Sequence, residues 1–558
     1  MDHEDSAILR RELLTGAALT GASLTLLSTS AATAAEPIAT AQFPALSTPK
    51  DEIVTTRSGR VRGYIQAGIH NFKGIPYGAP TGGTARWMPP APVKPWAGVF
   101  PAIAYGQTCP IGTNAQWVQP EYKFLLQWDN GIAGEDCLAL NVWTPAINDR
   151  RRRPVMVWLH GGGFSGGSAQ ELPSYDGLKL AKRGDVVVVS INHRLNIFGF
   201  LDLSGLGGAD YADSGNVGML DVVQALRWVQ DNIEGFGGDP DNVTIFGQSG
   251  GGSKVTALIS SPAARGLFKR GIVQSGGSFG RWSKPDASRR VAEAVLTELD
   301  MSKPDMSRLA ETRAVDLVAA LDRAGAKLRA SGAMAAIGPV ANGRFLPADN
   351  SLAPEIGTIP MIIGSNATES TVSLSDPTVE TMNFPDLAQR LEKAFPGHGQ
   401  TLLDVYRRAR PNARPADIWA SAGSWRFARA GSIRQIEQRL TLGGNAPTYR
   451  YEFAWETPAL DGRPRAYHCS ELPFVFNNVD RTPASAAGGP QAVALGQRMA
   501  DAWIAFARSG NPNHEGIPSW EPVSNNHWPT LVFDSAMSLR DDKRTAEINA
   551  LRAAAPDA

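Results

Sequence analysis

Apolar residues along this chain gather in runs of four to six, and stretches of helical period separate the runs. That alternation predicts an α/β protein. Val155–Leu159, Val186–Ser190, Val243–Phe246, Gly271–Gln274, Pro360–Ile363 and Thr448–Phe453 read as central parallel strands. Most are apolar at consecutive positions, as strands buried on both faces must be. Leu220–Ile233 gives the clearest helical pattern between them. Near the start, Glu52–Gln66 alternates around Arg57-Ser58-Gly59, which predicts a hairpin. Helical periodicity returns in Pro285–Leu328, Phe384–Ala409 and Ile418–Leu440. Asp541–Ala558 is rich in Ala and charge and is expected to fray. No internal repeat is visible.

Composition narrows the class. A chain of 558 residues with 43% hydrophobic content can bury a large core. Its 54 basic residues balance 54 acidic ones, which argues against nucleic acid as a partner. Arg150-Arg151-Arg152-Arg153 reads as a solvated loop before a core strand.

The first 35 residues read as an export signal. Arg10-Arg11 precedes a modestly apolar stretch reaching Leu27, and Ala32-Thr33-Ala34 offers a cleavage site. The arginine pair resembles a twin-arginine signal, although Leu9 stands where Ser or Thr is preferred, so a Sec-type signal stays open. The stretch is too short and broken for a stable membrane anchor. The expected location is therefore periplasmic or extracellular. Residues 36–51 are expected to form a linker, 52–540 a single catalytic domain, and 541–558 a tail.

The candidate chemistry centres on Ser249. Gly247-Gln248-Ser249-Gly250-Gly251 follows the apolar run Val243–Phe246, giving the G-x-S-x-G pattern of a nucleophile elbow. A sharp strand-to-helix turn would hold the hydroxyl exposed, with glycines where neighbouring chain passes close. A glycine turn with an incidental serine would carry the same pentapeptide, so a second motif matters. His160-Gly161-Gly162-Gly163-Phe164 follows the strand Val155–Leu159. Acyl transfer builds negative charge on a carbonyl oxygen, and N–H groups in such a loop can receive it. Gly162, Gly163 and Gly250 are the expected oxyanion donors, with Gly161 shaping the turn. A phosphate cradle would need Gly-Lys-Ser or Gly-Lys-Thr, which is absent.

With these motifs the chain resembles the type-B carboxylesterases, the cholinesterase and para-nitrobenzyl esterase branch of the α/β hydrolases. The resemblance runs from Val54 to Asp534 and includes Phe72–Tyr77, Glu135–Val142, Asn216–Asp221, Ala225–Ile233, Phe236–Pro240, Glu471–Phe476 and Ala502–Ala507. It implies an α/β-hydrolase fold: a large, mostly parallel central sheet flanked by helices, with helical insertions over an active-site gorge. Asp221, Arg227, Asp231 and Glu471 match structural positions.

The resemblance also implies a Ser249, Glu369, His468 triad in α/β-hydrolase order. Glu369 lies in Gly364-Ser365-Asn366-Ala367-Thr368-Glu369-Ser370, and His468 precedes Glu471-Leu472-Pro473-Phe474. His160 is the rival base, but it belongs to the glycine motif and precedes the nucleophile. Ser275 matches a supporting serine near the triad, and Phe164 an acyl-pocket position. Cys109 and Cys137 match the family's first disulfide, and Cys469 is left over for packing.

Four positions depart from the family. Gln248 replaces a glutamate, Gly250 an alanine, Thr368 an aspartate and Ser370 a glycine. None removes a catalytic atom, although Gln248 removes a buried charge. The three cysteines and eight histidines offer no recognisable zinc spacing, so no metal or other cofactor is expected.

The implied activity is hydrolysis of small-molecule carboxylic esters through an acyl-enzyme. A lipase, or an amide or carbamate hydrolase, would use the same triad. A non-catalytic cholinesterase-like binding module would be expected to lack the serine.

Overall fold

The computed structural model describes residues 45–558 except 113–118, 278–281, 334–336, 350–353, 372–375, 543–544 and 557–558. The expected export segment and most of the linker lie outside the described residues.

A twelve-stranded sheet organises the chain. Seven consecutive strands of it are parallel: β1 (Arg153–Leu159), β2 (Val187–Ile191), β3 (Gly238–Gln248), β4 (Arg270–Gln274), β5 (Met361–Asn366), β6 (Thr448–Phe453) and β7 (Pro529–Phe533). Their order across the sheet is β2-β1-β3-β4-β5-β6-β7. Antiparallel strands extend the β2 side, starting with Ala139–Thr144, and Ser538–Asp541 closes the β7 side. The six strands expected from sequence are all present. Every residue of β1 and β2 is buried, which accounts for their unbroken apolar runs.

The helices also follow the expected pattern. The segment Leu220–Ile233 lies within or beside α1 (Val217–Asn232), whose buried face includes Val222, Leu226 and Val229. Within it, the Asp221 carboxylate receives Arg194 Nη2 at 2.6 Å and Nε at 2.8 Å, with both side chains buried. This paired fork satisfies two charges that would be costly if buried alone. The expected hairpin forms from Ile53–Thr56 and Gly59–Arg62.

One expectation is corrected. The tail is not frayed where it is described: the helix Ala546–Ala554 near the C-terminus buries Ile548 and Leu551. Arg410 and Arg552 tie that helix down through Glu547 at 2.8 Å and Glu437 at 2.7 Å. Cys109 and Cys137, the pair expected as a disulfide, are both buried and carry free thiols. The Cys137 thiol is hydrogen-bonded to Cys109; that contact and burial raise its pKa well above the usual thiol range. Thiolate, the species that reacts, is therefore suppressed.

Among the described residues, no helix is long and apolar enough to cross a membrane.

Candidate active site

Strand β3 ends at Gln248, and α2 (Gly250–Ser260) starts with a single residue between them. Ser249 spans the junction at φ +57°, ψ −121°, a conformation costly for a residue with a side chain. Its N–H donates to the Gln274 carbonyl at 2.8 Å, and its own carbonyl accepts from Ser253 N–H at 3.0 Å. The glycines of the elbow have a steric reason. A Cβ on Gly247 would come within 2.7 Å of Gly251 backbone and the Leu159 carbonyl, and one on Gly251 would overlap that carbonyl at 1.9 Å. Gln248 and Gly250 are buried on either side while Ser249 is partly exposed.

The glycine loop after β1 lies against this elbow. A Cβ on Gly161 would sit 3.6 Å from Ser249 Cβ. Gly162 and Gly163 have φ of +80° and +62°, a region that favours glycine. Gly250 approaches Gly163 so closely that a Cβ would fall 2.3–2.4 Å from its N, Cα and O atoms. The three expected donors thus belong to two segments in direct backbone contact, with Gly250 N–H in the unpaired first turn of α2.

Strand β5 and the loop after β6 supply the charged partners. His468 Nδ1 donates to Glu369 Oε2 at 2.6 Å, both side chains being buried. The other carboxylate oxygen accepts from Ser275 Oγ at 2.5 Å and from Asn366 N–H at 2.8 Å. Ser275 follows β4 at φ +53°, and its hydroxyl reaches the Glu369 carboxylate. Burial penalises a charged His468 ring, but the Cys469 and Glu369 side chains outweigh it and raise the ring's pKa well above its ordinary value. Burial, then Glu369, pushes the neighbouring Glu471 carboxyl up to about 7. Its oxygens accept from Asn366 Nδ2 at 2.9 Å and Gln274 Nε2 at 3.3 Å. Glu471 therefore braces the loop that carries Glu369.

Gln248 and Cys469 acquire contacts that sequence reading did not supply. Gln248 Nε2 lies 3.3 Å from His468 Nδ1 and 3.4 Å from Nε2. Nearly equal distances place the amide alongside the ring and on neither nitrogen's axis. Cys469 Sγ donates to Gln248 Oε1 at 3.3 Å, fixing which end of the amide meets the ring. Phe427, in a π-helical turn at Trp425–Arg429, stands edge-on to His468 with ring centroids 4.6 Å apart. It is 48% exposed despite its size. No pattern in the sequence marks that turn. Phe164 packs edge-on against Phe200, with centroids 5.3 Å apart. The rival base His160 is buried, stacked on His193 at 5.0 Å, and its pKa is pushed far down by burial and by Lys254.

Among the described residues, no group of three His, Cys, Asp or Glu is placed to hold a metal ion.

A mostly parallel sheet, a serine at a strained strand-to-helix turn and a buried His–Glu pair define an α/β hydrolase. The Carboxylesterase family profile matches residues 50–551, and the chain belongs to that family. It is 35% identical to para-nitrobenzyl esterase of Bacillus subtilis over 88% of this chain and 96% of that one. Phenmedipham hydrolase of Pseudarthrobacter oxydans is 33% identical over 89% of this chain and 98% of its own. Among solved structures, an esterase from Clostridium hathewayi described as hydrolysing aliphatic aromatic polyesters superposes with a TM-score of 0.79 at 35% identity. That superposition covers 92% of this chain and all of the other. The carboxylesterase EST55 of Geobacillus stearothermophilus gives 0.74 at 36% identity, covering 90% of this chain and all of its own. The protein is a carboxylic ester hydrolase.

Proposed function

We propose that Ser249, His468 and Glu369 carry out this hydrolysis as nucleophile, base and acid. The observation that carries the reading is the 2.6 Å contact from His468 Nδ1 to Glu369, beside the elbow that presents Ser249. Holding a proton on Nδ1 leaves Nε2 as the basic nitrogen. His468 Nε2 takes the Ser249 proton as Oγ attacks the ester carbonyl carbon. The resulting oxyanion accepts hydrogen bonds from the N–H groups of Gly162, Gly163 and Gly250. Collapse of this intermediate breaks the bond to the alcohol, which leaves with the proton from His468. Water then attacks the acyl-enzyme, giving its proton to His468, and the second collapse returns that proton to Ser249.

Short to medium acyl esters and aryl esters fit this site best. Phe427 offers a half-exposed aromatic surface beside the base, and Phe164 is the acyl-side residue. The names of the para-nitrobenzyl and polyester-hydrolysing relatives support the aryl reading. A panel of para-nitrophenyl esters from acetate to palmitate tests it: kcat/KM should peak at short or medium chains, whereas a palmitate optimum would favour a lipase.

The same reading places the enzyme outside the cytoplasm, on the strength of Arg10-Arg11 and Ala32-Thr33-Ala34. In an oxidising compartment the neighbouring Cys109 and Cys137 are the pair that would close as a disulfide. Intact mass under non-reducing conditions, with the N-terminus of secreted material, tests both.

A further inference from the structure

Lys254 is a lysine inside a wholly buried helix. Every residue of α2 is buried, and Lys254 is 0% exposed. It lies one turn beyond Gly250 and Gly251, on the part of α2 that faces the end of β1. Its Nζ donates to the His160 carbonyl at 2.9 Å. That carbonyl opens the glycine loop. The loop's far end is held by an acidic side chain: buried Glu171 accepts the Ser168 N–H on Oε2 at 2.8 Å, with Tyr175 Oη 3.4 Å from Oε1. A buried lysine therefore grips the loop where it starts, and a buried carboxyl group grips it eight residues later.

The surroundings give each group little else to answer it. His160 and His193 stack beside Lys254, and both rings are kept neutral by burial and by the lysine itself. Burial pulls the Lys254 pKa down to about 7 and lifts Glu171 to about 8, while each group's attraction to the other opposes the change. Burying two ionisable side chains for packing alone is expensive, and apolar residues of similar volume would be at least as stable. A fixed loop is what the arrangement delivers.

We propose that Lys254 and Glu171 form a two-ended hydrogen-bonding clamp on the His160–Ser168 loop. The clamp sets the Gly162 and Gly163 amides in the geometry that receives the oxyanion. Both are positioning residues, since neither touches the reacting atoms. The inference rests on the oxyanion reading of that loop. Donors displaced by a fraction of an ångström still bind a planar ester, but they meet the tetrahedral oxyanion poorly. The loss should therefore fall on kcat rather than KM.

The test compares wild type, Lys254→Met, Glu171→Gln and the double variant on para-nitrophenyl acetate. A phenylboronic acid, whose tetrahedral adduct imitates the oxyanion, supplies the binding readout. Single variants leave one buried ionisable group without its partner and can fail to fold. The double variant removes both ionisable groups and keeps the proposal testable. In the folded double variant kcat should fall about 10- to 100-fold, as for modest misplacement of catalytic groups, with KM within about twofold of wild type. Boronic acid affinity should weaken along with kcat. Wild-type kcat and boronic acid affinity in that variant would overturn the clamp. An inactive wild-type enzyme would instead overturn the esterase reading of the site.

Discussion

A methyl group on Gly250 would lie 2.3–2.4 Å from the backbone of Gly163, so the residue after Ser249 and the glycine loop are in contact without room for a side chain. Both atom groups belong to backbone, and neither can swing aside. The Gly250→Ala variant, which restores the residue expected from the family, must push the loop away. Its kcat on para-nitrophenyl acetate should fall about 10-fold or more, since misplacement near 1 Å can cost about 10²-fold. A variant as fast as wild type would show that the loop shifts freely.

Glu369→Gln keeps the size of the acid but removes its charge, and its amide can turn a donor toward Nδ1. The His468 ring would then favour the wrong tautomer and lose the partner of its charged form. By the behaviour of the equivalent change in other triads, kcat should drop by roughly 10²–10⁴. Intact thermal unfolding alongside that loss would separate chemistry from folding.

Ser275→Ala removes one of the two donors to Glu369 Oε1, leaving Asn366 N–H in place. A hydrogen bond to a charged group contributes about 1.5–3 kcal/mol, so a loss of roughly 10- to 100-fold in kcat is the upper range. An unchanged kcat would reduce Ser275 to a strand-end residue.

The pH profile follows from the environment of His468. Its charged form is opposed by burial but favoured more strongly by Cys469 and Glu369, and the pKa is raised. In the proposed mechanism the neutral ring is the base, so kcat/KM should fall as pH drops through that raised value. The half-maximal point should lie above the ordinary 6.5. Glu369, Cys469 and Glu471 are the titratable groups around the ring, and Gln248 adds no charge. Gln248→Glu would place an anion alongside the imidazolium and move the acidic limb upward by about one unit or more. A limb that stays put would show that the Gln248 contact has no electrostatic weight.

The strands were readable because residues such as Val155–Leu159 are buried on both faces and leave an unbroken apolar run. The elbow and glycine loop were readable because close backbone contact demands glycine at fixed spacing, as Gly247 and Gly251 show. Glu369 and His468 are 99 residues apart, and only resemblance to a family joins them before the fold does. What stayed hidden depends on side chains meeting across elements. Lys254 looks like a surface residue on any polarity scale, yet α2 buries it. Phe427 reaches His468 only because a π-helical turn reorients it. In the tail, Ile548 and Leu551 are too sparse among alanines to announce a docked helix.

Mapping the adduct left by a fluorophosphonate probe tests the central claim most directly. The probe phosphonylates a serine hydroxyl activated by a base, and peptide mass analysis locates the modified residue. One adduct per chain on Ser249 is the expected result, absent from the Ser249→Ala variant and formed in step with loss of para-nitrophenyl acetate turnover. An inactivating adduct on any other residue, with Ser249 unmodified, would contradict the account.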